Sequence, residues 1–285
     1  MLPVAARGSE LLLSPANTAP LASRRNVVVV HDTAPFHDRS WYARTYGTWH
    51  RALLPRLVRR ARLVIVPSEF VRGELLERFG IPPERVRAVA PGVGPAFASP
   101  ADPAGLRRRL GLERPYVLGV GTEGPRKNLA LLDAIAPVLG DAGFDAVVAG
   151  SGRPYLPAAK TAGARRLGYV PDSDLPALYA GAAAFAMPSL YEGFGLPCIE
   201  AMAAGTPVVA AERAALPEAC GGAALLADPG DAEAFASAVL AAAGSERERL
   251  VAAGRARAAG VTWDQTAEAV DLALEPLLEA TGRRR

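Results

Sequence analysis

The chain has 285 residues, of which half are hydrophobic and 21% are charged. This composition excludes a disordered protein and predicts a folded one with enough core for two modest domains or one large one. No run of about 18 uncharged apolar residues is present, which excludes a transmembrane helix. The N-terminus shows no signal-peptide pattern, and Cys198 and Cys220 have neither disulfide nor metal-ligand spacing. We therefore expect a reducing, cytoplasmic location.

The net charge of +3 is unevenly distributed along the chain. Residues 1–100 contain 14 arginines and 7 acidic residues (+7), and residues 101–285 contain 18 basic and 22 acidic residues (−4). A basic first part favours an anionic partner, either a phosphorylated substrate or a membrane surface. No nucleic-acid-binding motif accompanies the charge, so we expect no nucleic-acid partner. Lysine is rare, with only Lys127 and Lys160 present, so a lysine at the end of a strand favours a functional role.

In the first part of the chain, β-branched runs alternate with helical patterns. Ser68 lies where a helix cap is expected, and the Pro/Gly-rich segment from Pro91 to about Pro103 predicts a linker. A sheet that begins at Val27 lacks a neighbouring strand, so we expect an unpaired edge that promotes self-association. The predicted strands are 26–31, 63–67 and 86–90, and the predicted helices are 51–61 and 69–79.

The predicted helix 51–61 is basic and amphipathic, with arginines on one side of a leucine-rich face. Such a helix can rest on an anionic membrane, here the inner face of the plasma membrane. An ordinary surface helix has the same pattern and is more common. A peripheral membrane contact therefore stays an alternative.

The second part of the chain repeats the alternation of strands and helices. Alternation at this spacing predicts parallel βαβ units, and hence two doubly wound domains with a ligand cleft between them at the carboxyl ends of the strands. The predicted strands are 116–121, 145–150, 166–170, 182–187 and 207–211. The predicted helices are 128–139, 175–181, 199–204, 231–243, 246–259 and 263–280.

The run Pro188-Ser-Leu-Tyr-Glu-Gly-Phe-Gly-Leu-Pro-Cys-Ile-Glu200 is the most informative motif. Its glycines and Pro197 predict a turn from a strand into a helix, with Pro197 at the first helical position. The free N–H groups of Cys198 and Ile199 would then form an anion site at the helix start, suited to a diphosphate. Glu200 can reach a ribose beside that diphosphate and Glu192 a sugar. A dipole-complementing Glu200 and a solvated Glu192 are the better explanation of a bare Glu-x7-Glu spacing, but the Gly-Phe-Gly-Leu-Pro spacer reverses this preference.

A second charged loop, Gly121-Thr-Glu-Gly-Pro-Arg-Lys-Asn128, follows a predicted strand. Arg126 and Lys127 can neutralise a diphosphate and stabilise the charge that grows on it as it leaves. A solvated basic turn is the alternative. The glycines of this loop imitate a dinucleotide fingerprint, but Pro125-Arg-Lys separates them from the helix, so we reject that interpretation.

Two further motifs have structural alternatives. Asp172-Ser-Asp174 could hold a metal, but its position before Leu175 favours helix capping, and no other metal cluster is visible. His31 ends the first predicted strand and so faces the expected cleft. It could hydrogen-bond a sugar hydroxyl or a leaving-group oxygen, or it could bond local backbone.

Taken together, these pieces resemble the family-four retaining glycosyltransferases of the GT-B fold. The matching segments are Val-Val-His31-Asp32, Val-Pro-Ser68-Glu-Phe, Pro91-Gly-Val, Gly-Pro-Arg126-Lys127-Asn128, Gly168-Tyr-Val, Pro188 to Pro197, Glu200-Ala-Met, Thr206-Pro-Val-Val, Pro217-Glu218 and Trp263. The resemblance runs from about residue 26 to 280. It implies an α/β, GT-B type fold with two Rossmann-like doubly wound domains.

The resemblance also implies an activity, the transfer of a hexose from a nucleotide-sugar to a glycan or lipid-linked acceptor. Mannose, from GDP-mannose, is the favoured sugar. The implied reaction needs no metal and no cofactor. The implied catalytic residues are His31, Arg126, Lys127 and Glu192. In the implied donor site, Arg126 and Lys127 hold the diphosphate, Glu200 the ribose and Glu192 the sugar. The whole implied donor site comprises Gly121, Arg126, Lys127, Tyr169, Val170, Glu192, Gly193, Phe194, Gly195, Leu196, Pro197 and Glu200.

The chain departs from the family pattern in two places. Relatives usually carry a further segment ahead of the part that matches Ser14 to Leu21, which leads us to expect an incomplete N-terminal domain. Many relatives also place an arginine where this chain has Thr122. We therefore expect an incomplete acceptor-side domain over 1–103, a donor-binding domain over 104–262, and a C-terminal helix over 263–285 that packs back on the first. A non-catalytic, nucleotide-sugar-binding remnant is the alternative function.

Overall fold

Runs of β-branched and small apolar residues form the strands of two separate parallel sheets. The computed structural model describes residues 9–152 and 163–282 and divides into two units. Unit 1 comprises Met1–Gly92 and Trp263–Arg285, and unit 2 comprises Val93–Thr262. Each unit has its own sheet and its own apolar clusters on both faces of that sheet.

The sheet of unit 1 has four strands in the order β1-β2-β3-β4, all parallel. They are β1 (Leu12–Ser14), β2 (Asn26–Val29), β3 (Leu63–Val66) and β4 (Val86–Ala88). The expected unpaired edge at Val27 was wrong, because Leu13 pairs in register with Val27. The run Leu-Leu-Ser is short and contains no β-branched or aromatic residue, so β1 gave no strand signal in the sequence.

Helices cover both faces of this sheet. Helices α1 (Arg44–Arg60) and α2 (Glu69–Phe79) bury Leu57 and Leu75 with the valines of one face. The C-terminal helix α10 (Trp263–Gly282) places Val270 and Leu274 on the other face. The predicted cap of α2 is confirmed, since Ser68 Oγ accepts from Val71 N at 3.2 Å.

Helix α1 begins seven residues earlier than predicted, at Arg44. The sequence predicted a loop ahead of residue 51, but Tyr46 and His50 lie in the first turns of this helix, four residues apart. In the structure, Tyr42 stacks on Tyr46 with ring centroids 5.3 Å apart, and Tyr46 lies 4.0 Å from the ring of His50. This i, i+4 packing stabilises the early turns.

Unit 2 is a doubly wound sheet of six parallel strands. The strands are β5 (Tyr116–Val120), β6 (Asp145–Ala149), β7 (Arg165–Gly168), β8 (Ala184–Met187), β9 (Val208–Ala211) and β10 (Leu225–Ala227). The helices are α3 (Pro103–Arg109), α4 (Ala130–Asp141), α5 (Leu175–Ala180), α6 (Leu196–Ala203), α7 (Leu216–Cys220), α8 (Ala232–Ala243) and α9 (Arg247–Ala259).

The strand order of unit 2 is β10-β9-β8-β5-β6-β7. The chain starts in the middle at β5, builds outward through β6 and β7, and returns to the other side of β5 with β8. The direction of winding therefore reverses between β5 and β8. In an open parallel sheet the loops on either side of such a reversal diverge and leave a crevice at the carboxyl ends of the two strands, where ligands bind.

Three elements of unit 2 were missed from the sequence: α3, α7 and β10. Asp102 gives α3 a recognisable start, because its carboxylate accepts from Gly105 N at 2.8 Å and Pro103 occupies the first turn. The linker expected up to residue 103 also belongs to unit 2 from Val93 onward. Val93 N donates to Val261 O at 3.0 Å, and Phe97 packs on the core of this unit.

Candidate functional site

The loops that follow β5 and β8 meet at the reversal of the unit 2 sheet. The first loop forms a 3₁₀ turn over Pro125–Lys127. The main chain joins it to the second loop, since Leu190 N donates to Arg126 O at 2.8 Å. Two segments more than sixty residues apart in sequence are thus held side by side where the topology leaves a crevice.

Arg126, Lys127 and Glu192 form one ion cluster at this point. Lys127 Nζ lies 2.7 Å from Glu192 Oε1, and Arg126 Nη1 lies 3.1 Å from Glu192 Oε2. Arg126 Nη1 also donates to Tyr191 O at 2.7 Å. Each carboxylate oxygen therefore accepts from one cation, which is the arrangement that makes a buried charge tolerable.

Glu192 is only 7% exposed, so it is not the solvated loop residue that was the alternative. Burial by itself would raise the pKa of Glu192. The ammonium of Lys127 and the guanidinium of Arg126 outweigh burial, with a further hydrogen bond from Ser189, and hold the pKa of Glu192 below its ordinary value. The residue is an anion at neutral pH, and the cluster carries a net charge of +1.

Two glycines make room for this cluster. A Cβ on Gly150 would lie 1.8 Å from the carbonyl oxygen of Gly121, so only glycine lets the two main-chain segments approach. A Cβ on Gly121 would lie 3.3 Å from Cδ of Lys127. The predicted site residue Gly121 thus leaves space for the lysine side chain.

Helix α6 starts directly after the Glu192 loop. Gly195 precedes it with a left-handed φ of 109°, and a Cβ there would lie 2.6 Å from Leu216. The helix begins at Leu196, so Pro197 lies in the first turn but at the second position. The expectation of a free Cys198 N–H was wrong, because that group donates to Gly195 O at 2.9 Å as the first turn tightens.

Glu200 lies in the second turn of α6 and is half-buried. Tyr179, on α5, donates its hydroxyl to Glu200 Oε2 at 2.9 Å. Burial raises the pKa of Glu200, the hydrogen bond from Tyr179 opposes this, and the charge of Asp172 adds to it. Nothing in the sequence pointed to Tyr179, because the two residues lie 21 positions apart in different helices.

The remaining predicted donor residues differ in exposure. Tyr169 is 69% exposed on the loop after β7, whereas Val170 beside it is buried. Phe194 is also buried in the core under α6. Gly193 is buried as well, while Leu196 and Pro197 are half-buried.

His31 belongs to unit 1, and its exposed ring bonds local main chain. The ring Nε2 lies 2.9 Å from Pro15 O, and the main-chain N–H of His31 donates to Asn17 Oδ1 at 2.8 Å. Of the two interpretations of His31, these contacts match bonding to local backbone. A role beside a reacting centre stays a prediction.

The Asp172–Asp174 motif does not cap α5 through a side chain. Asp174 occupies the cap position, but its carboxylate pairs with Arg109 at 2.8 Å instead. Within residues 9–152 and 163–282, no group of three or more histidines, cysteines or acids lies together as a metal site. Lys160, the second lysine, lies outside the described residues.

Family models match most of the described chain. The model described as "Glycosyltransferase Family 4" matches residues 9–97, and "Glycosyl transferases group 1" matches residues 114–244. The O-antigen chain mannosyltransferase B of Escherichia coli is 32% identical over 84% of this chain and 67% of that protein. The chain belongs to the family-4 glycosyltransferases. The family predicted from the sequence is thus confirmed, and with it a hexosyltransferase type of enzyme.

Other relatives of this family-4 chain extend the pattern. The MMP alpha-(1->4)-mannosyltransferase of Mycolicibacterium hassiacum is 30% identical over 74% of this chain and 53% of its own length. The D-inositol 3-phosphate glycosyltransferase of Frankia alni is 36% identical over 70% of this chain and 55% of its own length. The chain therefore spans about two thirds of the first relative and about half of the other two.

Solved structures confirm the GT-B fold. WaaG, a glycosyltransferase involved in lipopolysaccharide biosynthesis, superposes with a TM-score of 0.74 over 95% of this chain and 80% of its own, at 15% identity. HepE of Anabaena, solved in complex with UDP and glucose, superposes with a TM-score of 0.70 over 86% of this chain and 71% of its own, at 22% identity. At these identities the likeness shows the fold alone.

Proposed function

We propose that this family-4 glycosyltransferase moves a hexose, with mannose favoured, from a nucleotide-sugar donor to a glycan or lipid-linked acceptor and retains the anomeric configuration. The bond from the sugar C1 to the diphosphate breaks, and C1 bonds to the acceptor oxygen. The acceptor proton passes to the departing diphosphate. The observation that carries the proposal is the cluster of Arg126, Lys127 and Glu192 at the sheet reversal, with Glu200 on the helix that follows.

Arg126 and Lys127 are the proposed partners of the diphosphate. An ammonium carries three donors, so Lys127 can bond Glu192 and a phosphate oxygen at once. The leaving diphosphate bears more charge in the transition state than in the bound donor, and fixed cations stabilise that state most. Because Glu192 holds both cations in place before the donor arrives, little reorganisation is needed at the moment of reaction.

Glu192 and Glu200 are the proposed partners of the sugar and the ribose. Both are acceptors, which suits hydroxyl groups, and they lie on either side of the start of α6. The names of the mannosyltransferase relatives support a mannose donor, and the complex of HepE with UDP and glucose supports a nucleotide-sugar of this general kind. We propose GDP-mannose.

We further propose that the reaction needs no metal and no cofactor, because the two cations supply positive charge at the diphosphate. A chelator such as EDTA should then leave turnover unchanged. A loss of turnover that added Mg²⁺ or Mn²⁺ restores would contradict this part of the proposal.

The experiment that tests the function measures donor hydrolysis and transfer by the full chain with GDP-, UDP- and dTDP-sugars. Preference for GDP-mannose with a glycan or lipid-linked acceptor is the expected result. Donor binding without turnover would instead support the alternative, a non-catalytic nucleotide-sugar-binding protein. No binding of any of the three donors would overturn both.

A peripheral membrane contact through α1 is a separate and weaker proposal. Several arginines of this helix already bond main-chain carbonyls: Arg51 with Pro35 O at 3.0 Å and Arg60 with Leu21 O at 3.0 Å. No helix within the described residues is both long and apolar enough to cross a membrane. Co-sedimentation with phosphatidylglycerol vesicles, against phosphatidylcholine vesicles as control, tests this contact.

A further inference from the structure

Tyr179 is the residue of α5 that reaches the proposed ribose partner. Its hydroxyl donates to Glu200 Oε2 at 2.9 Å. Glu200 Oε1, by contrast, takes no hydrogen bond from any residue that the structure describes. The carboxylate is thus anchored by one oxygen, and the other is left to accept from a ligand.

The ring of Tyr179 is fixed on all sides. It is fully buried, with edge-to-face contacts to Phe97 and Phe185 at centroid distances of 5.8 and 5.3 Å. Its own carbonyl accepts from Thr206 Oγ1 at 2.6 Å. Neither the ring nor its main chain can swing, so the hydroxyl defines where the Glu200 carboxylate lies.

The direction of the hydrogen bond follows from the charges around it. Burial, and then the charge of Glu200, raises the pKa of Tyr179 well above its ordinary value, so the phenol keeps its proton and donates. The groups that face Glu200 are Tyr179 from α5, Asp172 from the loop before α5, and Lys127 from the loop after β5. Tyr179 and Lys127 favour the ionised carboxylate, and burial and Asp172 oppose it.

We infer that Tyr179 is a positioning residue of the nucleotide site, which holds Glu200 by one oxygen so that the other can accept from a ribose hydroxyl. This inference rests on the proposed function. A buried tyrosine also needs some acceptor for its hydroxyl, so a purely structural role is the competing explanation. The two differ in what the hydroxyl does to the titration of Glu200.

The test compares Y179F with a matched control, Y116F, in the full chain. Tyr116 is equally buried in unit 2, but its hydroxyl donates to the carbonyl of Leu178 at 2.6 Å and does not touch Glu200. Calorimetry with GDP, and with UDP in parallel, gives the affinity of each variant between acid and neutral pH. Circular dichroism and melting temperature report whether each variant is folded.

The wild type should lose affinity as the pH falls, because a protonated Glu200 no longer offers an ionised acceptor. Removing the hydrogen bond that Tyr179 donates raises the pKa of Glu200 further. In Y179F the loss of affinity should therefore begin at a higher pH than in the wild type. At neutral pH we expect Y179F to bind GDP about tenfold more weakly. Y116F should follow the wild-type profile. In an E200Q background the pH dependence that remains should come from the terminal phosphate of GDP and from the ion cluster, and adding Y179F should not shift it.

A Y179F profile that coincides with the wild type at every pH would overturn the inference and leave the proposed function intact. Failure of Y179F to fold would also count against it, since the hydroxyl would then serve the fold. A wild-type chain that binds neither GDP nor UDP would overturn the proposed function first, and this inference with it.

Discussion

Polar side chains follow the strands in both units, but their partners differ. In unit 1, His31 bonds the carbonyl of Pro15, 16 residues away, and Asp32 accepts from Ala34 N at 3.0 Å, so both bond main-chain groups. In unit 2, Lys127 and Glu192 pair across 65 residues of chain, between the loops of two neighbouring strands. Among the described strands, those of unit 1 follow one another in chain order, whereas the unit 2 sheet reverses its winding order at these loops and leaves a crevice there.

The comparison indicates which part of the molecule holds full charges in a fixed position before a ligand binds. A side chain that bonds main chain satisfies groups that carry only partial charges. A cluster assembled between two loops instead keeps full charges close together and partly desolvated, which strengthens their action on a ligand. Under the proposed function the donor chemistry belongs to unit 2, and we expect substitutions there to have the larger effects.

The largest effect is expected from Arg126→Ala and Lys127→Ala. Removing one fixed cation should lower turnover on the order of a hundredfold and donor affinity by much less, because the diphosphate gains charge in the transition state. The control is Arg109→Ala, which breaks an exposed pair with Asp174 and should change little. Steady-state kinetics distinguishes these outcomes. Weaker affinity with an unchanged maximal rate would mean that the cations bind the ground state and the transition state equally.

The next effect concerns nucleotide affinity. Glu200→Ala removes the proposed ribose acceptor and should weaken GDP binding roughly ten- to hundredfold, as expected for a hydrogen bond to a charged group. Calorimetry with the full chain measures this change. Unchanged affinity would rule out Glu200 as the ribose partner and would reduce the site to the ion cluster.

A smaller effect should appear in the pH dependence of stability. The pKa of Glu192 is lowered in the folded state by its two cations, so its contribution is present above the unfolded pKa and is lost as the pH falls through the folded pKa. The pKa of Glu200 is raised, mainly by burial, so its contribution is present below the unfolded pKa and is lost as the pH rises through the folded pKa. Denaturant unfolding of E192Q and E200Q across this acid range should therefore deviate from the wild type in opposite senses.

The smallest expected effect is that of His31→Ala on nucleotide affinity. If the side chain of His31 only bonds local main chain in unit 1, GDP should bind to the variant as to the wild type. Turnover measured on the same sample tests its predicted catalytic role separately. A clear loss of GDP affinity would show that unit 1 takes part in donor binding, and the contrast between the two units would no longer hold.

Much of the fold could be predicted from the sequence. Long β-branched runs such as Leu63–Val66 and well-formed caps such as Ser68 were sufficient for the strands and helices that carry them. The strands β1 (Leu-Leu-Ser) and β10 (Leu-Leu-Ala) were missed because, unlike Leu63–Val66, they contain no β-branched residue, and α7 was missed because five residues show too little helical periodicity. Their pairing depends on neighbours far away in the chain, as Leu13 with Val27 illustrates.

For the site, the sequence alone predicted the candidate residues and showed that they follow strands. Arg126, Lys127 and Glu192 could be named from their loop contexts, because glycine, proline and charge at a strand end have local meaning. Only the tertiary structure decided that the carboxylate is buried between both cations and that Tyr179 anchors Glu200. Pairing and burial are properties of segments brought together by the sheet order, and no local pattern encodes the distance between two side chains 65 residues apart.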